Sequence, residues 1–486
     1  MSAALWEMRL RLEAAQAGRT IPRVSCAQVE LSPRSLAVGV VGMPGAQAAV
    51  WGLAIGPLGT RTNPGTPTLI SIPEPRDYQS MVDIFSQLYR VLKGWAWWVN
   101  ELNPPQIIVA DENAWKVLDT SAERLLRTTV DVGARRAAEI LHWVARTAYV
   151  PGGQVLVPMV ELLRRHLITP GDPIRESELD TWLGRQPVRE QVWVTPDMEH
   201  KGEHGGPGLV DLSARYQLAR REAHRAGTAE HPDAEQVAAH QQAMDAEAAK
   251  IAAVIQDLAK QRYEAVAEAA WLWQSHQLPL LPGVKLLQKE ATQEFERWRE
   301  RILKAEDNIF AFSHYYHVIE ASADLIQRET AASEWEQSLV WHDEMVAKAA
   351  IAEGTAIWGR VHTNVGRQLV LDSPQQVLRV RPGDRLRIRT DRTKVTAASI
   401  SLVGTGHRIV FDMVREVKTL QPGDVVVVCK QEGQLNKARS DQIKTRQRLY
   451  QDPLWALDIK LKTPAPTDQR VPTDLLEKAM SRRNPR

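Results

Sequence analysis

Residues 35–60 contain no charged side chain. Their length and apolar character would suit a membrane-spanning helix. A Met-Pro-Gly interruption at residues 43–45 divides them, however, into two apolar runs of strand length, residues 36–42 and 48–56. The sequence therefore predicts a buried β-hairpin at this place and no contact with a membrane.

The hairpin is predicted to belong to a mixed sheet within residues 21–195. Apolar runs predict further strands at residues 24–31, 69–72 and 106–110. Strands in a row followed by helix, strand and helices indicate one sheet flanked by helices. Apolar side chains at three-and-four spacing predict those helices at residues 78–101, 114–126, 134–148 and 157–166.

The length of the chain sets the number of folded units. A chain of 486 residues is too long for one hydrophobic core, since domains usually hold about 100 to 200 residues. We therefore expect a multidomain α+β protein. Its predicted segments are an N-terminal helix at residues 1–20, the α/β domain at 21–195, a linker at 196–210, a helical region at 211–354, a small β-barrel at 355–435 and a basic tail at 436–486.

The cysteines and the start of the chain predict a compartment. Cys26 and Cys429 are far apart in the sequence and fit neither a disulfide framework nor a zinc site. Residues 1–13 alternate apolar and charged side chains, which is typical of a short amphipathic helix rather than of a signal peptide. We expect a cytoplasmic protein without a structural metal.

The helical region carries a partial heptad pattern. Ala248 and Ile255 form a second seam beside the main one. Such a pattern predicts a long helix that packs on partners, either in an antiparallel helical hairpin or bundle or in a homodimeric coiled coil. The main seam consists of Val237, Met244, Ile251, Leu258, Ala265 and Leu272.

After Gly354 the apolar pattern changes from helical to alternating. The string Arg-Pro-Gly-Asp at residues 381–384 recurs as Gln-Pro-Gly-Asp at 421–424, with proline at the second position of a turn and an acid opening the next strand. Short strands at this spacing predict a small barrel of the OB or SH3 type. The candidate strands are residues 355–363, 368–372, 376–380, 384–390, 394–402, 407–414 and 424–430.

Basic side chains concentrate on one predicted barrel strand, although the whole chain has a formal net charge of only +2. Alternation places Arg385, Arg387 and Arg389 on one face at intervals of about 6.6 to 7 Å, near the phosphate spacing of an extended single strand. A solvated face paired with acids of the helical region is the alternative. The basic track consists of Arg379, Arg381, Arg385, Arg387, Arg389, Arg392 and Lys394, opposed by Asp384 and Asp391, and a second basic cluster follows at Lys437, Arg439, Lys444, Arg446 and Arg448.

Several catalytic motifs are missing from the sequence. It contains no phosphate-binding Gly-x-x-x-x-Gly-Lys-[Ser/Thr] loop and no Rossmann glycine fingerprint after its first predicted strands. It also lacks Cys-x-x-Cys, His-Glu-x-x-His and Gly-x-Ser-x-Gly strings. The sequence therefore does not indicate an NTPase or a dehydrogenase.

Two short strings in the α/β domain resemble a known family. Gln28 and Glu30 stand in the expected first strand, while Asp111 and Glu112 precede an Asn-Ala-Trp string after the strand at residues 106–110. These strings and the element order resemble the exonuclease-type RNase H-like domain at the front of certain large bacterial superfamily 1 DNA helicases. That family has Asp-hydrophobic-Glu on the first strand and an Asn-Ala-x-aromatic-Asp element after the fourth.

The resemblance implies a degenerate domain that does not cleave. Gln28 stands where the family has its first acid, and Val117 where it has its last, so a two-metal centre would bind magnesium weakly. Asp111 and Glu112 also fit an N-cap and a first-turn acid of the following helix. The alternative is a nuclease that uses magnesium or manganese in a rearranged site. Its ligands would be Glu30, Asp111, Glu112 and Asp131.

The resemblance extends to the order of a helical region followed by a β-barrel, here opening with Ile-Trp-Gly-Arg-Val at residues 357–361, without the ATPase motor that follows in the family. We therefore predict a non-catalytic nucleic-acid-binding accessory protein. Its ligand would be DNA rather than RNA, it would need no cofactor, and its partner would be a separately encoded helicase or nuclease. A metal-dependent nuclease and a structural protein that oligomerises through its helices are the alternatives.

Overall fold

The computed structural model describes residues 3–32, 35–43, 49–96, 106–128, 131–148, 155–185, 208–229, 231–285 and 333–431, and the single residues 288, 289, 292, 296, 329, 330, 441 and 444. The chain divides into two compact units. One comprises Met1–Ser313 and Glu334–Leu435, and it contains every element described below. The other comprises His314–Ser333 and Asn436–Arg486.

The first unit is a mixed α+β structure. The helices of its first part are α1 (Ala3–Ala17), α2 (Tyr78–Ala96), α3 (Glu112–Thr128), α4 (Val132–Ala148), α5 (Met159–His166) and α6 (Leu179–Trp182). The strands of that part are β1 (Ile21–Pro22), β2 (Leu36–Gly42), β3 (Val50–Pro57), β4 (Gly59–Thr60), β5 (Asn63–Pro64), β6 (Thr68–Ser71), β7 (Ile107–Val109), β8 (Leu156–Pro158) and β9 (Leu167–Ile168).

The uncharged segment forms the predicted buried hairpin. β2 and β3 pair antiparallel, and all residues of β2 are buried. They are the centre of a five-stranded sheet with the order β6-β3-β2-β7-β8, in which β2, β7 and β8 run parallel. Both faces of this sheet are covered, which explains why its strands are continuous apolar runs rather than alternating ones.

Alternate residues of β2 enter two different cores. Val38 and Val40 pack with α2, α3 and α4 on one face, whereas Ala37 and Val41 pack with α5 and a long helix on the other. No helix among the described residues combines the length and the apolar character that a membrane-spanning helix needs.

The strand predicted at residues 24–31 is wrong. The first strand of the five-stranded sheet is β2, and residues 24–31 form no ladder with it. Their backbone donors bind side chains from elsewhere instead: Ser25 N–H donates to Oδ2 of Asp343 at 2.7 Å, and Gln28 N–H donates to Nε2 of His166 at 3.1 Å. A strand ladder needs those donors for itself, so the segment is irregular.

The helix predicted at residues 157–166 starts later than expected. Val157 pairs with Ile108 in β8, and α5 begins at Met159. A continuous apolar run does not by itself distinguish a buried strand from the start of a buried helix.

The helical region continues with α7 (Leu209–Gly227), α8 (Ala234–Ser275) and, after a gap in the described residues, α9 (Glu344–Glu353). α7 and α8 form a hairpin, with His240 Nδ1 at 3.8 Å from Oε2 of Glu222. The heptad positions Ile251 and Leu258 of α8 are buried against the sheet and its helices. The seam is therefore covered by the protein's own chain over this part of α8.

The last part of the first unit is a closed antiparallel barrel of six strands in the order β10-β11-β14-β13-β12-β15. The candidate strand at residues 376–380 is wrong: it joins no ladder, because six strands already close the barrel and leave no free edge. Arg379 N–H donates to the carbonyl of Gly354 instead, at 2.8 Å. The strands are β10 (Ile357–Val365), β11 (Gln368–Ser373), β12 (Arg385–Ile388), β13 (Lys394–Val403), β14 (Gly406–Met413) and β15 (Val425–Cys429).

The two repeated Pro-Gly-Asp strings form matching turns. Gly383 and Gly423 both have φ of 95°, the left-handed conformation that a type II turn requires at its third position. The carboxylate after each glycine closes its turn: Asp384 accepts the backbone N–H of Arg381 at 2.8 Å, and Asp424 accepts that of Gln421 at 2.7 Å. The turn prediction is confirmed.

Candidate functional site

The ends of β7 and β8 bring acidic side chains to one edge of the sheet. Asp111 follows β7, and its Oδ1 accepts the backbone N–H of Ala114 at 2.8 Å, so it is the N-cap of α3. Glu112 stands in the first turn of that helix. Burial raises the pKa of Asp111, and the N–H groups of α3 and the charge of Arg262 oppose this rise.

Glu161 belongs to the same edge, on α5 immediately after β8. Burial raises the pKa of Glu161 to about 7, and the charges of Asp111 and Glu112 add to the increase. Its Oε2 is buried without a hydrogen-bond partner among the described residues. We call Asp111, Glu112 and Glu161 the acidic edge.

Arg262 of α8 places a positive charge at this edge. Its Nη1 donates to the carbonyl of Val40 in β2 at 2.8 Å. Burial lowers the pKa of Arg262 to about 10, and the charge of Asp111 opposes that shift. A buried cation near a buried carboxylate reduces the cost of keeping both out of water. Arg262 therefore neutralises part of the acidic edge from the helix above it.

The helix that carries Arg262 lies directly on the sheet. A Cβ at Gly39 of β2 would overlap the carbonyl oxygen of Ala259 and the amide nitrogen of Tyr263, both in α8. Tyr263 also donates from its hydroxyl to the carbonyl of Pro57, at 2.5 Å. With backbone against backbone, this face of β2 has no room for a polynucleotide.

The other two acids of the hypothetical nuclease site lie elsewhere. The backbone carbonyl of Glu30 accepts from the Gln106 side chain before β7, at the opposite end of that strand from Asp111. The Glu30 carboxylate binds Lys285 Nζ at 2.5 Å. Asp131 is the N-cap of α4 and accepts from Ala134 N–H at 2.7 Å. Asp111 and Glu112 are thus adjacent, and neither Glu30 nor Asp131 joins them.

A different group of described residues has the geometry of metal ligands. Asp119 and Glu123 stand one turn apart on α3, and His142 of α4 faces them, with one ligand atom of each within 4.8 Å of the others. His142 Nδ1 is 3.4 Å from Asp119 Oδ1. Two carboxylates and an imidazole would suit zinc, manganese or iron. None of the three was a candidate from the sequence.

The basic track is the second candidate region. Arg379, Arg381, Arg385 and Lys394 are exposed and form no ion pair with other described residues. Arg392 is also exposed, in a turn with φ of 62°. The expected counter-charges have local roles: Asp384 closes the turn at Arg381, and Asp391 accepts the N–H and hydroxyl of Thr393.

The three alternating arginines within and just after β12 have different surroundings. Arg385 is exposed, whereas Arg387 is half-buried and its Nε has no hydrogen-bond partner among the described residues. Arg389 donates from Nε to the carbonyl of Trp341 at 2.8 Å. Lys394 stands directly opposite Arg387 on the neighbouring strand, and like charges in that arrangement repel each other.

Most of the second basic cluster lies outside the described residues: Lys437, Arg439, Arg446 and Arg448. Lys444 is described and exposed. It belongs to the other compact unit, which comprises His314–Ser333 and Asn436–Arg486.

Sequence reasoning missed Glu161 and Arg262. A signal for Arg262 exists, since it follows Ala248 and Ile255 at the same seven-residue interval and is thus a charge on an apolar seam. Glu161 has no comparable signal. Comparison with protein families, with curated proteins and with solved structures finds no match for this chain.

Proposed function

We propose that this protein is a non-catalytic nucleic-acid-binding accessory protein and that its barrel carries the binding surface. One observation carries the proposal: the exposed cations Arg379, Arg381, Arg385 and Lys394 have no ion-pair partner among the described residues. A solvated face paired with acids would have its carboxylates nearby, but Asp384 is bound to a turn. An external polyanion fits this surface.

The arrangement within the track supports a phosphate backbone as the ligand. Arg387 and Lys394 face each other across two strands, and the repulsion between them would fall when a phosphate lies between them. Alternate side chains along β12 repeat at about 6.6 to 7 Å, near the spacing of phosphates in an extended strand. Contacts of this kind depend on salt and carry little sequence information.

The α/β domain supports the non-catalytic part of the proposal. We interpret it as a degenerate RNase H-like domain, since a central antiparallel hairpin with two further strands parallel to its first strand is the element order of that fold. Its first strand, β2, contains no carboxylate at all, while Arg262 of α8 balances part of the charge of the acidic edge. Hard divalent cations need several accessible anionic oxygens.

The proposal also covers the type of barrel, the partner and ligand, and the compartment. We take the barrel as a small module of the OB or SH3 type, which commonly binds single strands. The partner would be a separately encoded helicase or nuclease, and the ligand DNA rather than RNA. Cys26 and Cys429 form no disulfide with each other, which fits the reducing cytoplasm.

The test is a binding series with labelled single-stranded DNA, double-stranded DNA and RNA between about 50 and 200 mM salt, a range over which several phosphate contacts lose orders of magnitude in affinity. We expect the tightest binding to DNA, with a steep linear fall of log affinity against log salt. Replacing Arg379, Arg381 and Arg385 together by glutamine should flatten that slope. Lys418→Gln, an exposed barrel cation outside the track, is the matched control. No binding at low salt would end the proposal.

The nuclease alternative has its own experiment. The same labelled substrates are incubated with magnesium or manganese, and products are resolved on a gel. We expect no cleavage by the native chain. Cleavage that Asp111→Asn abolishes and Lys418→Gln leaves intact would replace the proposal with a metal-dependent nuclease.

A further inference from the structure

A pocket of about 540 Å³ lies where the basic track meets the helical segment before the barrel. Arg379, Arg385 and Lys430 line it from the barrel side, and Gln337 and Thr355 are among its other lining residues. A pocket of this volume has room for one nucleotide but not for a continuing duplex. The basic track therefore includes a concave site of this size.

The charge of the pocket is unbalanced. Three of its lining side chains are cations, and Arg379, Arg385 and Lys430 form no ion pair with other described residues. Among the described residues the one acid in the lining is Asp384, whose Oδ2 already accepts the backbone N–H of Arg381. The net charge of these groups is close to that needed to match a dianion.

We propose that this pocket binds a terminal phosphate of a nucleic-acid strand, so that the protein prefers phosphorylated ends. The inference rests on the proposed nucleic-acid binding and adds to it the part of the ligand that is recognised. An internal phosphodiester carries one negative charge, whereas a terminal phosphate monoester carries about 1.5 to 2 near neutral pH. Arginine binds such an oxyanion with two parallel donors, and the compact charge of lysine supplements it.

The experiment compares one single-stranded DNA oligonucleotide in three forms: with a 5′ phosphate, with a 3′ phosphate, and with hydroxyl groups at both ends. We expect one phosphorylated form to bind roughly ten-fold more tightly than the hydroxyl form at pH 7.5, a ratio typical of one charge-assisted contact. The preference should shrink at pH 5, because the monoester then loses most of its second charge. The phosphorylated oligonucleotide that binds more tightly shows whether the pocket recognises the 5′ or the 3′ end of the strand.

Variants assign the preference to the pocket. Arg385→Gln and Lys430→Gln should each bring the ratio below about three-fold, since each removes one contact to the phosphate. Lys418→Gln, outside both the pocket and the track, should keep the native ratio. Far-UV circular dichroism checks that all variants are folded.

Two results would overturn the inference. Equal binding of the three oligonucleotides, with salt-dependent affinity retained, rejects the phosphate pocket and leaves the proposed function intact. An equal loss of preference in Lys430→Gln and Lys418→Gln also rejects the pocket, because the effect would then follow total charge. If no oligonucleotide binds at low salt, the proposed function itself fails.

Discussion

The acidic edge of the sheet and the basic track of the barrel both concentrate charge, but the charge is buried at the edge and exposed on the barrel. At the edge, Asp111 and Glu161 are largely buried, and Arg262 places a positive charge near Asp111 from a helix that covers the sheet. On the barrel, Arg381 and Arg385 point into solvent without an ion-pair partner among the described residues. Buried charge must be balanced internally, whereas exposed charge remains available to a ligand.

This difference favours the basic track over the acidic edge as the functional site. A cluster of carboxylates in the sequence suggested metal chemistry, yet the structure uses Asp111 to start α3 and places the positive charge of Arg262 near it. The basic strand suggested either a track or a paired face, and the structure uses its two opposing acids in turns. Burial and local hydrogen bonds, rather than charge count, separate the two regions.

The largest expected effect comes from removing the buried cation. Arg262→Met keeps most of the side-chain volume but removes the hydrogen bond to the carbonyl of Val40 and the positive charge near Asp111. Removing one member of a buried charge group typically costs about 3 to 5 kcal/mol. We expect a loss of that size in the free energy of unfolding, measured by urea denaturation with the signal of the tryptophans.

Lys260→Met is the control, on the same helix two residues away. Its side chain is more than half exposed, and its ion pair with Glu264 is 4.0 Å long. Exposed pairs of this kind contribute less than about 1 kcal/mol. Similar losses in both variants would show that Arg262 has no special role at the acidic edge.

The second prediction concerns pH. Burial raises the pKa of Glu161 from 4.5 to about 7, so the folded state binds this proton more tightly than the unfolded state does. The resulting stabilisation is complete below about pH 4.5 and is lost as the pH rises through 7. Glu161→Gln carries no such titration and should be more stable than the native chain at pH 8, by about 3 kcal/mol, with the advantage shrinking toward pH 5.

Thermal or urea unfolding at pH 5 and pH 8 measures this difference. Glu353→Gln, at an exposed position of α9, should follow the native pH dependence. If Glu161→Gln gives the same curve as the native chain, the carboxyl group is not held protonated by burial, and the acidic edge is open to water.

The sequence predicted the parts of the fold whose signals are local. The uncharged hairpin follows from strand-length apolar runs around a turn, and the two Pro-Gly-Asp turns follow from the conformations of proline and glycine. The six barrel strands were predicted because each shows either alternation or, in β15, a short apolar run after a turn. These features depend on neighbours in the chain and are therefore readable from it.

Features that depend on distant contacts were not predictable. Residues 24–31 look like a strand, but Asp343 and His166 take their backbone donors from far along the chain. Arg262 sits on a heptad seam that suggested a coiled coil, and only the packing of α8 on Gly39 shows that the seam faces a sheet. The basic track was found by composition, while its pocket with Lys430 needed the folded barrel.

The smallest expected effect on stability is at the barrel surface, where we expect a substitution in the basic track to change binding rather than folding. Arg381→Gln removes an exposed guanidinium whose backbone N–H still bonds to Asp384. The free energy of unfolding should change by less than about 0.5 kcal/mol, as for most surface substitutions. The salt dependence of single-stranded DNA binding should fall by about 0.7 in slope, the value for one lost phosphate contact.

Arg381→Gln should keep its stability and lose part of its salt slope. Arg262→Met should do the opposite: it should lose stability, and the fraction that remains folded should keep the salt slope. Unfolding and binding are measured on the same preparations. An Arg381→Gln chain that loses stability while keeping its slope would place this arginine among the structural charges. The distinction between an internally balanced edge and a surface available to a polyanion would then no longer hold at this position.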